Sequence, residues 1–360
     1  MKSSEPVVDD GPGGGGLDVE GIDAEAVTAW FEDHVAGVEA PLRFDLIAGG
    51  RSNLTYRVTD AAGRAYALRR PPLSHVLPTA HDMAREHRVI SALGPTAVPV
   101  PATYGLCQDD EVNGRPFYVM EFVEGHILRD AAGASRDLDE AGRGQAGRSI
   151  AETLAALHAV DVDAVGLGSF AKREGYIERQ LRRWYEQFSK SLVPGSDTAG
   201  IVGAVHDRLA AGIPPQATST IVHGDYRLDN TVLGDDGSVR AVLDWEICTL
   251  GDPLADMGLL MVYWTEPGDE AAILGVAPTT VAGFPSRAEM RAAYEAASGY
   301  DLSRLGYYVA FGYWKLACIV QGVYARYVGG AAAGDRSSVD GWADSVRRLA
   351  EAAQASLDAD

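Results

Sequence analysis

At 360 residues, with 46% hydrophobic and 23% charged residues, the chain has the make-up of a globular protein large enough for two lobes. Its formal net charge of −20 has the wrong sign for a nucleic-acid partner, whose polyanionic backbone needs a basic surface. An acidic surface keeps a chain in solution and also attracts cations, so charge alone chooses no substrate.

Residues 1–21 are rich in Gly, Pro, Asp and Glu, most densely at Gly11-Pro12-Gly13-Gly14-Gly15-Gly16, and read as a disordered tail. The absence of an apolar run after Lys2 argues against a signal peptide. Cys107, Cys248 and Cys318 are odd in number and lack metal-type spacing, which leads to reduced, buried thiols and a cytoplasmic protein. A helix is predicted from Asp23, its N-cap, to about Val35, with Val27, Trp30 and Phe31 on the apolar face.

A β-rich section follows. Strands are expected at 44–47, 54–58 and 65–69, then a helix at 79–93 closed by Gly94 and Pro95. An extended piece at 98–101 and a strand at 117–122 complete it. From about Leu138 the pattern turns helical, with helices expected at 138–158, 174–190, 198–211, 253–264, 286–298, 303–328 and 338–356. Ser286-Arg287-Ala288-Glu289 matches a capping box. The most apolar stretch, Tyr307 to Val328, is interrupted by Lys315, Gln321 and Arg326, so it reads as a buried helix and not a membrane span.

The densest chemistry lies between two of the helices. His223-Gly224-Asp225-Tyr226-Arg227-Leu228-Asp229-Asn230 is followed by Leu243-Asp244-Trp245-Glu246. An Asp and an Asn five apart, then a second Asp after an apolar run, are the parts of a phosphoryl-transfer site. Asp225 would take the proton of a substrate hydroxyl, and Asn230 and Asp244 would hold Mg²⁺. Between them, 231–233 and 239–243 read as strands joined by the turn Asp235-Asp236-Gly237-Ser238. An antiparallel hairpin there sets residue 230 roughly opposite residue 244. A lone His-Gly-Asp would be an ordinary solvated loop; the spacing and the strand context weigh against that.

This pattern resembles the aminoglycoside phosphotransferase and choline kinase superfamily, relatives of protein kinases with H-G-D-x-x-x-x-N in the catalytic loop. The resemblance implies an α+β, bilobal, protein-kinase-like fold. A small β-rich, nucleotide-binding N-lobe would span 22–124 and a larger, mostly helical C-lobe 125–360, with a hinge near Glu124-Gly125. Gly49-Gly50-Arg51-Ser52-Asn53, between two strands, would be the phosphate loop, with Gly49, Gly50, Ser52 and Asn53 at the nucleotide. The kinase template pairs a third-strand lysine with a glutamate on the next helix. Glu86 is available, but the four lysines, Lys2, Lys172, Lys190 and Lys315, all lie elsewhere, so Arg69 must supply the cation, with Arg70 next in line. By the same resemblance, adenine would meet the Glu121 carbonyl and the Val123 amide. In Gly251-Asp252-Pro253-Leu254-Ala255-Asp256 the last Asp would brace the catalytic loop, and His223 would orient it.

Gly49 to Tyr56, Leu68-Arg69-Arg70-Pro71-Pro72, Leu157 to Val162 and Arg179 to Trp184 narrow the resemblance. They are similar to the branch related to the kinase-like domain fused to some acyl-CoA dehydrogenases. The expectation is an ATP- and Mg²⁺-dependent transferase, GTP being also compatible, acting on a small hydroxylated molecule. Arg179, Arg182, Arg183, Trp184, Tyr185, Tyr307, Tyr308, Tyr313, Trp314 and Lys315 read either as core aromatics and solvated arginines at helical spacing or as the substrate face, where they would suit an anionic or amphipathic molecule such as a hydroxyacyl thioester. The alternatives are a true aminoglycoside phosphotransferase, a nucleotide-binding protein without transfer activity, and a metal-dependent phosphohydrolase using His223, Asp225 and Asp244. Neither the acceptor nor the oligomeric state is legible from these residues.

Overall fold

The computed structural model describes residues 18–48, 53–73, 82–195, 197–269, 277–329 and 341–359. Contacts divide the chain into two units, the first running to His87 and resuming at Ala102–Phe122, the second comprising Arg88–Pro101 and Val123–Asp360. The second therefore begins near the expected hinge but also takes in residues 88–101.

In the first unit, β1 (Asp18–Val19) and β2 (Ile22–Asp23) form a short hairpin, so the tail expected to reach residue 21 is already paired from Asp18. Asp23 caps α1 (Ala24–His34), its extended backbone letting the carboxylate accept the Ala26 N–H at 3.1 Å. Val27, Trp30 and Phe31 recur at helical spacing and are buried. They pack on an antiparallel sheet built from β3 (Arg43–Ala48), β4 (Leu54–Thr59), β5 (Ala65–Arg70), β6 (Thr103–Cys107) and β7 (Phe117–Glu121), in the order β3-β4-β5-β7-β6. Trp30 meets Phe117 edge-on at 4.9 Å, and Phe31 meets Tyr66 at 5.8 Å. Gly105 lies under the indole, where a Cβ would stand 2.8 Å from Trp30 Cη2. No other residue fits there without moving the tryptophan.

The strand before β7 is displaced from its expected position. Pairing starts at Thr103 and not within 98–101, because Pro99 and Pro101 have no N–H to give a ladder. The helix expected from Thr79 is seen as α2 (Met83–Leu93), its first residues falling outside the described ones. A single-turn helix, α3 (Asp110–Asn113), is capped by Asp109 and ended by left-handed Gly114.

The second unit is mostly helical: α4 (Ala131–Asp137), α5 (Glu140–His158), α6 (Tyr176–Lys190), α7 (Thr198–Ala211), α8 (Leu254–Tyr263), α9 (Arg287–Ser298), α10 (Leu305–Val328) and α11 (Trp342–Ala359). Helix α10 is its centre, packed by α6, α7, α8 and α11. Ser286 and Glu289 cap α9 reciprocally, as their spacing predicts. Four short strands, β8 (Thr220–Val222), β9 (Thr231–Leu233), β10 (Val239–Val242) and β11 (Thr249–Gly251), pair antiparallel as β9 with β10 and β8 with β11. The second pairing brackets the loop that carries the His-Gly-Asp triplet. Among the described residues no helix is long and apolar enough to cross a membrane.

Candidate active site

The β9–β10 hairpin turns at Asp236-Gly237 and pairs Thr231 with Val242. One step beyond, the Leu243 N–H donates to the Asn230 carbonyl at 2.8 Å, which sets the residue before Asp244 against Asn230. Asp244 has a φ of 65°, alone among the described non-glycine residues in its left-handed backbone. Aspartate tolerates that region better than most side chains, but the conformation is still strained, and such strain clusters where a side chain must point one particular way. Asn230 Nδ2 donates to the Asp225 carbonyl at 2.8 Å and to Asp225 Oδ2 at 3.0 Å. With its amide nitrogen directed at Asp225, Oδ1 is the atom Asn230 offers to a cation.

The loop holding Asp225 is clamped from several helices. Buried Asp256, on α8, accepts the His223 N–H at 2.7 Å on one oxygen and the Gly224 N–H at 2.8 Å on the other. Burial acts to raise the Asp256 carboxyl, but the hydrogen bond and charge of His158 and the Gly224 N–H outweigh it and hold it below the ordinary carboxylate range. His223 Nε2 lies 2.9 Å from the Leu243 carbonyl, and its Nδ1 accepts the Asp225 N–H at 3.2 Å. Those partners fix the Nε2–H tautomer and make the ring a strut between the two halves of the motif. Gly224 has a φ of 88°, and a Cβ there would meet Ile247 at 3.0 Å, so the position needs glycine. The Tyr226 hydroxyl donates to the Ile150 carbonyl in α5 at 2.9 Å. Lys315 Nζ, from α10, donates to the Gly224 carbonyl at 2.8 Å.

Asp252, two residues before the start of α8, ties that helix to α10. It accepts the Leu254 N–H at 3.1 Å at the start of α8 and the Tyr308 hydroxyl at 2.6 Å.

Two participants were not singled out from sequence. Tyr263 donates its hydroxyl to Asp225 Oδ1 at 3.2 Å, and the Arg227 guanidinium lies 4.4 Å over the Tyr263 ring while gripping Asp229 through two hydrogen bonds. Tyr263 follows Asp256 by seven residues on α8, two helical turns along the same face, and that spacing was the available signal. Arg227, Asp229 and Tyr263 line a cleft of about 210 Å³ with Leu128, Arg129 and Trp264 among its other walls.

Of the aromatics between 307 and 315, three take the core alternative. Tyr307, Tyr308 and Trp314 are buried, their polar atoms given to Leu209, Asp252 and Val202. Aromatics at helical spacing on a central helix are core, and α10 is central. Lys315 is buried with them. Arg182 and Arg183 are exposed, and Arg179 turns back on the carbonyls of Lys172 and Glu174.

In the first unit, Glu86 meets Arg69, its expected partner, and two further side chains. It is 1% exposed, lies 3.0 Å from Arg69 Nε, and accepts Asn53 Nδ2 at 2.7 Å and the Tyr118 hydroxyl at 2.8 Å. A carboxylate that deep persists only with such partners. Strand alternation sends Arg70 to the other face, where its guanidinium bonds the Gly21 carbonyl, so Arg69 and not Arg70 meets the glutamate. Gly49, Gly50 and Ser52 lie outside the described residues. Glu121 is the exposed last residue of β7, with its N–H on the Ala102 carbonyl, and Val123 is half-buried at the start of a stretch of the second unit. All three cysteines are free and buried.

A family model described as the phosphotransferase enzyme family matches residues 43–307. The chain belongs to that family. Relatives of this phosphotransferase-family chain include mouse acyl-CoA dehydrogenase family member 10, 34% identical over 83% of this chain and 28% of that protein. Human acyl-CoA dehydrogenase family member 11 is 32% identical over 92% of this chain and 42% of that protein. The chain thus spans less than half the length of these curated relatives. Among solved structures, a Ralstonia eutropha JMP134 protein provisionally designated an aminoglycoside phosphotransferase is 34% identical, with a TM-score of 0.79, covering 94% of this chain and 98% of that one. Choline kinase from Cryptosporidium parvum is 12% identical with a TM-score of 0.66, covering 94% and 96%, and shares the fold alone. The fold is the expected α+β protein-kinase-like one.

Proposed function

We propose that the protein is a small-molecule kinase that transfers the γ-phosphoryl group of ATP to a hydroxyl, with Asp225 as the base. The observation that carries this reading is the arrangement of Asp225, Asn230 and the strained Asp244 around one hairpin. Asp225 has one oxygen on Asn230 and the other on Tyr263, so the carboxylate is oriented before any acceptor arrives. It would accept the hydroxyl proton as the new oxygen–phosphorus bond forms, and ADP would leave with the electrons of the broken bond.

Asn230 Oδ1 and the Asp244 carboxylate are hard oxygen donors of the kind Mg²⁺ takes, and the chain's geometry fits that use. When bound, the ion would neutralise charge on the phosphates. Arg69, aligned by Glu86, would contact the phosphates on the nucleotide side.

The acceptor reading follows from the cleft beside Tyr263. Its walls mix Leu128, Leu228, Leu260 and Trp264 with polar groups, and its charges are two arginines and one aspartate that is tied to one of them. Among the described residues of its lining a polycationic aminoglycoside finds no cluster of carboxylates, whereas a hydroxylated acyl chain with an anionic head suits the walls. The relatives' names, acyl-CoA dehydrogenase family members 10 and 11, favour an acyl thioester of that type. The test is an ATP-consumption screen over hydroxyacyl-CoA esters, aminoglycosides, choline-like alcohols and sugars, with Asp225→Asn as control. Turnover with a hydroxyacyl-CoA that is lost in Asp225→Asn is expected. A wild-type rate in that variant would refute the catalytic assignment, and preferential use of an aminoglycoside would refute the acceptor.

A further inference from the structure

A buried ammonium is an expensive way to fill a helix face, because the desolvation penalty amounts to several kcal/mol and an apolar side chain of like volume avoids it. Lys315 occupies such a place on α10, among Phe311, Trp314, Leu316 and Cys318, and is 5% exposed. Burial, joined by the charge of Arg183, pushes its pKa down against the charges of Asp225 and Asp256, which support the cation. Its Nζ lies 5.7 Å over the Trp184 ring, and its hydrogen bond goes to the Gly224 carbonyl at 2.8 Å.

That carbonyl belongs to the peptide plane whose N–H is Asp225's own. The N–H end is held by His223 Nδ1 at 3.2 Å, and the carbonyl end by Lys315. The preceding N–H groups of His223 and Gly224 are both on Asp256. A glycine with φ of 88° has access to many neighbouring conformations, and a plane fixed at both ends removes them. The direction of the Asp225 Cα–Cβ bond is set by that plane.

We infer that Lys315 is a positioning residue for the phosphoryl-transfer base, acting through the Gly224 carbonyl. The inference rests on the kinase reading above. It assigns to a helix 91 residues downstream the task of aiming Asp225. Lys315 touches neither substrate nor phosphate in this role.

The experiment compares wild type, Lys315→Met and Asp225→Asn for Mg²⁺-dependent hydrolysis of ATP, for KM of MgATP and for Tm, with crystal structures of wild type and Lys315→Met. Methionine keeps the stem volume and removes the donor, so Tm is expected to hold or rise. Turnover should fall by about tenfold, the factor a lost hydrogen bond to a charged group commonly costs, while KM for MgATP stays within about twofold. A purely structural lysine would instead lower Tm and leave the turnover of folded protein unchanged. Wild-type turnover in Lys315→Met beside a dead Asp225→Asn overturns this inference alone. An active Asp225→Asn overturns the kinase reading beneath it. Should wild-type hydrolysis be too slow to measure, or should Lys315→Met be insoluble and be replaced by Lys315→Leu, the crystal structures decide. A rotated Gly224–Asp225 peptide in the variant supports the assignment, and an unmoved one overturns it.

Discussion

Tyr263 donates to Asp225 Oδ1 at 3.2 Å while Asn230 donates to Oδ2 of the same carboxylate at 3.0 Å, so the plane of the proposed base is set from both of its oxygens. Burial first, and the Asp225 charge second, push the Tyr263 hydroxyl above its ordinary range, which keeps it a donor wherever the protein is folded. Tyr263→Phe removes that bond with little change of shape. A hydrogen bond to a charged group is worth about 1.5–3 kcal/mol, so turnover is expected to drop about tenfold or more with KM for MgATP unchanged. Steady-state kinetics of the Phe variant checks this, and an unaltered turnover would count against the role.

Asp256 gives the loop a pH dependence of definite sign. Its folded-state pKa lies below the unfolded aspartate value of about 3.9, so its contribution to stability is present above that value and is lost as pH falls through the lower, folded one. Asp256→Asn should therefore be less stable than wild type at pH 7, with the gap narrowing below about pH 4. Urea unfolding at pH 7, 5 and 3.5 measures it. A gap that widens on acidification would contradict the direction.

Arg69 and Glu86 make a buried pair whose members differ in their replaceability. Arg69→Met removes the cation beside a carboxylate that is 1% exposed, and removal of one partner of a buried pair costs about 3–5 kcal/mol. Arg69→Lys keeps the charge but loses the planar fork, so a smaller loss of stability and a weaker nucleotide affinity are expected. Chemical denaturation with and without MgATP separates the two effects. Equal stability of wild type and Arg69→Met would show that Asn53 and Tyr118 suffice for Glu86.

The left-handed backbone of Asp244 separates folding from the proposed metal use. Asparagine tolerates that region as aspartate does, so Asp244→Asn should keep its Tm within a few degrees while losing Mg²⁺-dependent hydrolysis. Asp244→Val should lose about 1–2 kcal/mol in addition, since a β-branched side chain resists positive φ. Thermal unfolding of both variants, with EDTA-treated wild type as the activity control, tests the pair of expectations.

Much of this was legible in the sequence because it rests on local rules. Asp23, Ser286 and the turn at Gly237 are governed by neighbours a few residues away, and the structure places them as those rules require. Arg69 was readable from the resemblance to the kinase template and the absence of a lysine in the β-rich section, and strand alternation in the structure decided it over Arg70. What stayed hidden depends on partners distant along the chain. The β8–β11 pairing joins residues 220–222 to 249–251 with three-residue strands too short to leave a pattern. Tyr307, Tyr308 and Trp314 look the same in sequence whether they line a cleft or fill a core, and only the packing around α10 decides between them. The strand at 103–107 was displaced by a few residues because two prolines gave the piece before it an extended look without the means to pair.

The clamps on the catalytic loop have a consequence for the order in which the molecule is made. They come from residues 32, 33 and 91 positions downstream and 76 positions upstream of the loop residues they hold. As the chain leaves the ribosome, the His-Gly-Asp segment emerges well before α8 and α10 can reach it. Contacts of such separation carry a loop-closure cost that is recovered only when the helices dock. The aim of Asp225 is thus a late event in biogenesis, completed when residue 315 arrives and not when residue 225 does.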